Sequence, residues 1–531
     1  MGSNGDLNAN SECLGSTGDV ILDKAIRQWI TWDKNPQTGG QILSLVREGR
    51  VAELRRRLCS RMTFGTAGLR AAMGAGFARI NDLTVIQSTQ GVYKYLGKYF
   101  PDLNARGLVV GYDTRAQASS GCTSERLARL TAAVMLCKDV PVYLFSKYVP
   151  TPFVSYAVMK FGAAAGIMIT ASHNRKEDNG YKVYWHNSAQ ISSPHDKEIM
   201  RCIEESTEPW PESWNEDLVE SSPLRRDPLE DICRWYMEEL STVCFHRELN
   251  ARSPLKFVHS SFHGVGHSYV QKAFQQFGFP PPIPVPEQKD PDPDFSTVSC
   301  PNPEEGESVL ELSLRLAERE GASIVVATDP DADRLAVAEQ NDNYGWKVFT
   351  GNELAALLGW WVLFNWKEAH PDPSDTERVY MLATTVSSKI LKAFARIEGF
   401  HFEETLPGFK WIGNRIYELS KMGKEVIFSF EESIGFLCGH MVLDKDGVST
   451  AAIVAEMAAY LHTKNLSLSQ QLRNIYEMSF HCQKTAKWSR SHFRMALLLL
   501  LGPAGLSQRS SIIQNSVHHQ ENEISPAWKR N

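Results

Sequence analysis

Short apolar runs that stop at polar loops recur along this chain. Ala165-Gly166-Ile167-Met168-Ile169 leads into Thr170-Ala171-Ser172-His173-Asn174, Ser323 to Thr328 into Asp329-Pro330-Asp331-Ala332-Asp333-Arg334, and Val426 to Phe430 into Glu431-Glu432-Ser433-Ile434-Gly435. A β-branched run bounded by turn residues has the pattern of a buried strand. Open α/β sheets bind ligands beyond the carboxyl ends of their strands. The three loops are therefore expected at strand ends, where chemistry can be placed.

The segments between them alternate in type. Leu108 to Asp113 and Val140 to Phe145 are further strand-like runs, with a helical pattern over Ser124 to Leu136 between them. A second unit opens with Leu255 to Ser261 and carries a proline-rich, irregular excursion from Pro280 to Pro303. A third holds a strand at Val379 to Val386, a helix at Lys389 to Arg396 and an alanine-rich helix at Ser449 to His462. Ile21 to Leu58 is helical in its spacing, and Glu205 to Pro228, rich in proline and serine, is expected as a linker. The fold class is α/β: serial α/β domains with mixed, largely parallel sheets. The expected divisions are a disordered N-terminus (1–20), three domains (21–222, 223–346 and 347–478) and a divergent tail (479–531).

At 531 residues and 43% hydrophobic composition, the chain is long enough for several packed domains. A net charge of -6 gives no support for a nucleic-acid or anionic-membrane partner. Ten scattered cysteines without a CxxC pair fit reduced thiols rather than a disulfide framework. The polar start Met1-Gly2-Ser3-Asn4-Gly5-Asp6 lacks a signal-peptide pattern, and Asp6 stands where acylation wants Ser or Thr. The apolar run Met495 to Leu501 is too short to span a bilayer. A soluble, cytoplasmic protein is expected.

A serine hydroxyl at a strand end can carry a phosphoryl group if a base or metal activates it; alternatively Ser172 closes a local turn. Asp329, Asp331 and Asp333 alternate, so an extended loop presents three carboxylates to one side, a donor set for a hard cation. An EF-hand is excluded, since Arg334 holds the glycine position and Gln340 the glutamate position. An acidic solvated loop is the alternative. Glu431 and Ser433, two residues apart, suit sugar hydroxyls or else open a helix. Lys445, between Asp444 and Asp446, is an acid/base group, a phosphate anchor or an exposed turn lysine. In Phe64-Gly65-Thr66-Ala67-Gly68-Leu69-Arg70 the glycines permit close backbone approach, and Arg70 offers a planar fork suited to phosphate or to solvent.

Together T-A-S-H-N, D-P-D-A-D-R and F-E-E-S-I-G, in this order, resemble the loops of the α-D-phosphohexomutase superfamily. Phe64 to Arg70 and Gly408-Phe409-Lys410 add to a resemblance that runs from about Asp19 to about Tyr476. Within it the phosphoglucomutase-2 group is closest, and its synthase branch in particular. Arg175 follows T-A-S-H-N where phosphopentomutase-type members have proline. The resemblance implies a phosphoserine at Ser172 and a Mg²⁺ held by Asp329, Asp331, Asp333 and a Ser172 phosphate oxygen. Glu431 and Ser433 would contact sugar hydroxyls, with Gly408 and Lys410 also on the substrate side. Lys445, His173 or Lys182 would support proton transfer, and Arg70 and Arg334 would sit near the phosphoserine. The implied reaction forms glucose 1,6-bisphosphate from glucose 1-phosphate with 1,3-bisphosphoglycerate as donor. Alternatives are a mutase that interconverts sugar 1- and 6-(5-)phosphates, glucose 6-phosphate among them, and a catalytically impaired phosphosugar-binding chain. The family's fourth, phosphate-gripping domain has no counterpart in the tail, so weak sugar-phosphate binding is expected.

Overall fold

The computed structural model describes residues 16–63, 68–341 and 345–485. Its first sheet has six strands: β1 (Leu69–Ala72), β2 (Leu108–Tyr112), and, after a short antiparallel pair β3 (Ala116–Gln117) and β4 (Cys122–Thr123), β5 (Val142–Leu144), β6 (Ala165–Ile169), β7 (Asp178–Trp185) and β8 (Arg225–Arg226). Their order is β1-β7-β6-β2-β5-β8. β6, β2, β5 and β8 run parallel, whereas β7 is antiparallel to both β6 and β1. Every residue of β2 and β6 is buried, which is why both read as continuous apolar runs.

The second sheet comprises β9 (Phe257–Ser260), β10 (Ile283–Pro284), β11 (Ile324–Thr328), β12 (Leu335–Gln340) and β13 (Trp346–Val348), in the order β10-β9-β11-β12-β13. The third comprises β14 (Val379–Thr384), β15 (His401–Thr405), β16 (Glu425–Glu431) and β17 (Gly435–Cys438), in the order β15-β14-β16-β17. In each, a parallel core gains an antiparallel edge: β12 and β13 in one, β17 in the other. The expected mixed, largely parallel α/β class is what forms.

The helix Gly447–Thr463 ties the last two sheets together. It is buried on nearly every side and packs against β11, β12, β17 and the helix Gly266–Gln276. Alanines at 451, 452, 455, 458 and 459 let these neighbours approach, and Asp446 caps its N-terminus by accepting from Val448 and Ser449.

The structure adds detail at three of the expected boundaries. Residues 1–15 lie outside the described residues, but Ser16–Asp19, expected to be disordered, form the first helix's cap. There Asp19 accepts from the amides of Ile21 and Leu22 at 3.1 and 3.2 Å. The expected linker 205–228 is built into the first unit. Buried Gln90 donates to the Ser206 and Glu208 carbonyls and accepts from the Trp210 amide, while β8 joins the sheet beside β5. Backbone hydrogen bonds from Ser213 to Trp210, Asn215 to Glu212 and Arg225 to Ser222 close turns within it. At the other end the helix Leu468–Thr485 runs across the expected break at 478, its first amides held by Glu339 at 2.7 and 2.8 Å. Residues 486–531 lie outside the described residues.

Candidate active site

The carboxyl ends of β6, β11 and β16 converge, so each of the three loops reaches the same place. Ser172 leaves β6 with a left-handed backbone, φ 54°, which aims its side chain away from the strand. Its amide donates to Thr170 Oγ1 at 2.8 Å, and its hydroxyl donates to Asp329 Oδ2 at 2.7 Å. His173 Nδ1 lies 3.3 Å from the same hydroxyl. Burial, with Arg334 and Arg70 adding, pushes the imidazole down to about 2, so it is neutral.

Asp329, Asp331 and Asp333 are buried, and one oxygen from each lies within 4.8 Å of the others. Burial and the two neighbouring carboxylates push Asp329 well above the carboxylate range. Burial also pushes Asp331 up, but Lys182 outweighs it and holds that carboxyl below its ordinary range. Lys182 Nζ donates to Asp331 Oδ2 at 2.7 Å and to Asp333 Oδ2 at 3.0 Å, and Thr151 Oγ1 donates to Asp331 Oδ2 at 2.7 Å. The Oδ1 atoms of Asp331 and Asp333 remain buried without a hydrogen-bond partner. An all-oxygen set with two unsatisfied anionic atoms fits a divalent cation.

Cations ring this centre. Arg334 donates its amide to Asp329 Oδ1 at 3.0 Å and a guanidinium N–H to the Ser433 carbonyl at 2.9 Å, and pairs with Glu304. Lys445 Nζ stands 3.5, 3.6 and 3.8 Å from Asp444, Asp333 and Glu431, and 5.5 Å from the centre of the Phe409 ring. Arg70 donates to Asn174 Oδ1 at 3.0 Å and carries no ion pair among the described residues. A cavity of about 220 Å³ lies in front of Ser172, walled by Arg70, Lys182, Arg334, Glu431, Lys445 and Gly408.

Two residues expected on the substrate side do not line it. Ser433 supplies a carbonyl to Arg334, and Lys410 turns toward Asp196, 3.9 Å away, over the Trp411 ring. Phe64 to Ala67 lie outside the described residues. Gly68 does allow a close backbone approach, but to the strand β7: a Cβ there would lie 2.3 Å from the Tyr181 carbonyl. Gln190 also lines the cavity and carried no sequence signal as a site residue, while Thr170 and Phe409 line it from within the T-A-S-H-N and Gly408-Phe409-Lys410 stretches.

A polarised serine hydroxyl, three clustered carboxylates and a ring of fixed cations make a site for moving phosphoryl groups. That chemistry needs positioning and charge neutralisation more than covalent catalysis by the protein. The comparisons agree. Models of the phosphoglucomutase/phosphomannomutase alpha/beta/alpha domains I, II and III match residues 61–210, 234–345 and 350–478. The chain belongs to this family of phosphotransferases. It is 70% identical over 484 residues to glucose 1,6-bisphosphate synthase of Homo sapiens, covering 91% of this chain and 78% of that protein. It is 57% identical over 479 residues to phosphopentomutase of Homo sapiens, covering 90% and 78%. Among solved structures, a putative phosphomannomutase from Thermus thermophilus matches in fold with a TM-score of 0.63 at 23% identity, over 79% of this chain and 84% of that one.

Proposed function

We propose that this chain is a Mg²⁺-dependent phosphotransferase that forms glucose 1,6-bisphosphate from glucose 1-phosphate, with 1,3-bisphosphoglycerate as donor and phospho-Ser172 as intermediate. The observation that carries the reading is the Ser172 Oγ–Asp329 Oδ2 hydrogen bond of 2.7 Å, inside the carboxylate cluster. The 70% identity to glucose 1,6-bisphosphate synthase supports the choice of reaction.

Asp329, Asp331 and Asp333 would hold the Mg²⁺, which when bound neutralises charge on the transferring phosphoryl group. Ser172 attacks the donor's acyl phosphate, the P–O bond to the carboxyl group breaks, and a carboxylate leaves. Asp329 Oδ2, which already accepts the Ser172 hydroxyl, takes the serine proton. Glu431 on the opposite wall orients the sugar, while Lys445, Arg334 and Arg70 offset phosphate charge. The sugar hydroxyl then attacks the phosphorus of phospho-Ser172, the P–Oγ bond breaks, and the serine oxygen leaves with the proton held at Asp329 Oδ2, which the proton of the attacking hydroxyl replaces. No described helix is long and apolar enough to cross a membrane. The described cysteines are free thiols, Cys122, Cys202 and Cys438 among them buried, which fits a reducing compartment, and we assign the protein to the cytoplasm.

Intact-mass spectrometry after incubation with 1,3-bisphosphoglycerate and Mg²⁺ tests this. One phosphate is expected on the wild type and none on Ser172→Ala, and glucose 1-phosphate should discharge it. A folded wild type that takes up no phosphate defeats the reading. Loading by glucose 1,6-bisphosphate alone would favour the mutase reading, which the 57% identity to phosphopentomutase keeps in view.

A further inference from the structure

We infer that Arg115 is the positioning residue of the Ser172 loop, an assignment that rests on the phosphoserine reading. Arg115 follows β2, the strand beside β6, and is 1% exposed. It touches neither the cavity nor the carboxylate cluster. Instead its guanidinium is filled by the loop's own backbone. Nη2 donates to the carbonyls of Ser172 at 2.6 Å and Asn174 at 2.7 Å, and Nη1 to those of Arg175 at 2.7 Å and Asp178 at 3.0 Å. Asp113 Oδ2 stands 3.3 Å from Nε and neutralises the charge, while Asp113 Oδ1 accepts from Ser124 Oγ at 2.6 Å and from the Arg115 amide at 3.0 Å.

Four carbonyls from one seven-residue stretch thus converge on one side chain, beside the loop's own Asn174–Asp178 hydrogen bond of 2.9 Å. A left-handed serine persists only where its surroundings over-determine it. Only arginine can supply this clamp: a rigid planar fork with five donors spans four acceptors, whereas a lysine ammonium is a single point with three. What the clamp fixes is the direction of Ser172 Oγ toward Asp329 and the cavity. A displacement of about 1 Å at a reacting atom costs on the order of 100-fold in rate.

The test uses Arg115→Lys, which keeps the buried charge opposite Asp113. The double variant Asp113→Asn/Arg115→Met, which removes both buried charges together, guards against a single variant that fails to fold. Stopped-time loading of Ser172 should fall by about 100-fold in kcat, with KM for 1,3-bisphosphoglycerate unchanged within roughly threefold, because the cavity walls are untouched. Tryptic cleavage of the native chain after Arg175 or Lys176, both exposed, should accelerate by at least about tenfold as the loop loosens. A variant that loads at the wild-type rate, or that loses KM while keeping kcat, overturns the assignment. If the wild type itself fails to load, the phosphoserine reading falls. The cleavage rates then decide the clamp alone, and equal rates in wild type and variants reject it.

Discussion

Lys445 runs through the space that a side chain at position 435 would fill. A Cβ on Gly435 would lie 2.3 Å from Lys445 Cδ and 3.0 Å from Glu431 Cγ, yet the backbone there is an ordinary strand that alanine adopts without strain. Gly435→Ala should therefore push Lys445 off Glu431 and Asp333. Transfer from phospho-Ser172 to the sugar is expected to slow at least about tenfold, with a stability loss of about 1–3 kcal/mol from overpacking. Single-turnover discharge and urea titration measure the two, and an unchanged discharge rate would refute the role given to Lys445. At this scale the sequence showed whatever is local. Ser172 and the three aspartates lie on contiguous loops, so their spacing singled out residues that the fold brings together. Thr151 meets Asp331 across 180 residues, and Arg115 meets the Ser172 carbonyl across 57, so no local pattern could pair them. Ser433 and Lys410 stand beside motif residues in sequence, yet neither lines this cavity.

The strands that were legible are parallel, buried and largely apolar, whereas β8, β10 and β15, parallel as well but short or partly exposed, offered no such run. β7 escaped notice because it opens with Asp178 and Asn179 and carries Lys182 in its middle, a buried charge that Asp331 and Asp333 offset. The N-terminal helices read correctly as helical, but not the acidic joint between them. Asp33 ends the helix Val20–Trp32, accepting from Thr38 Oγ1 at 2.6 Å and the Asn35 amide at 3.0 Å ahead of the helix Pro36–Arg47. Burial, with nearby Asp82 adding, raises its carboxyl from 3.8 to about 7. A raised pKa in the folded state means that the fold prefers the protonated acid. Its stabilising share is complete below the unfolded value and is lost as pH rises through about 7. Amides of these two helices should exchange more slowly at pH 6 than at pH 8 after correction for intrinsic rates. Asp33→Asn should abolish the difference, and a pH dependence that survives in the variant would show that another group is responsible.

One apolar core runs from the helix Thr151–Phe161 under the first sheet through both other sheets, so the units are welded rather than strung. Polar ties cross the same seams. Tyr184 and Gln190 donate to Asp444 at 2.6 and 2.7 Å, and Tyr236 donates to Asp446 at 2.5 Å. The carboxylate cluster sits on this seam, because Asp331 is held by Thr151 and Lys182 from the first unit. A cation bound there should therefore stabilise the whole molecule rather than one loop. At a hundred times its dissociation constant a ligand specific to the folded state adds about 2.7 kcal/mol. Millimolar Mg²⁺ should accordingly raise the wild-type Tm by several degrees over an EDTA-treated sample. Asp329→Asn gives the contrasting case. Three buried carboxylates repel one another, so neutralising one should leave the metal-free variant at least as stable as metal-free wild type, while the Mg²⁺ response disappears. Differential scanning calorimetry with and without Mg²⁺ decides it. A wild-type Tm indifferent to Mg²⁺, or a variant that still responds fully, would remove the metal from this cluster and with it the charge neutralisation on which the proposed transfer depends.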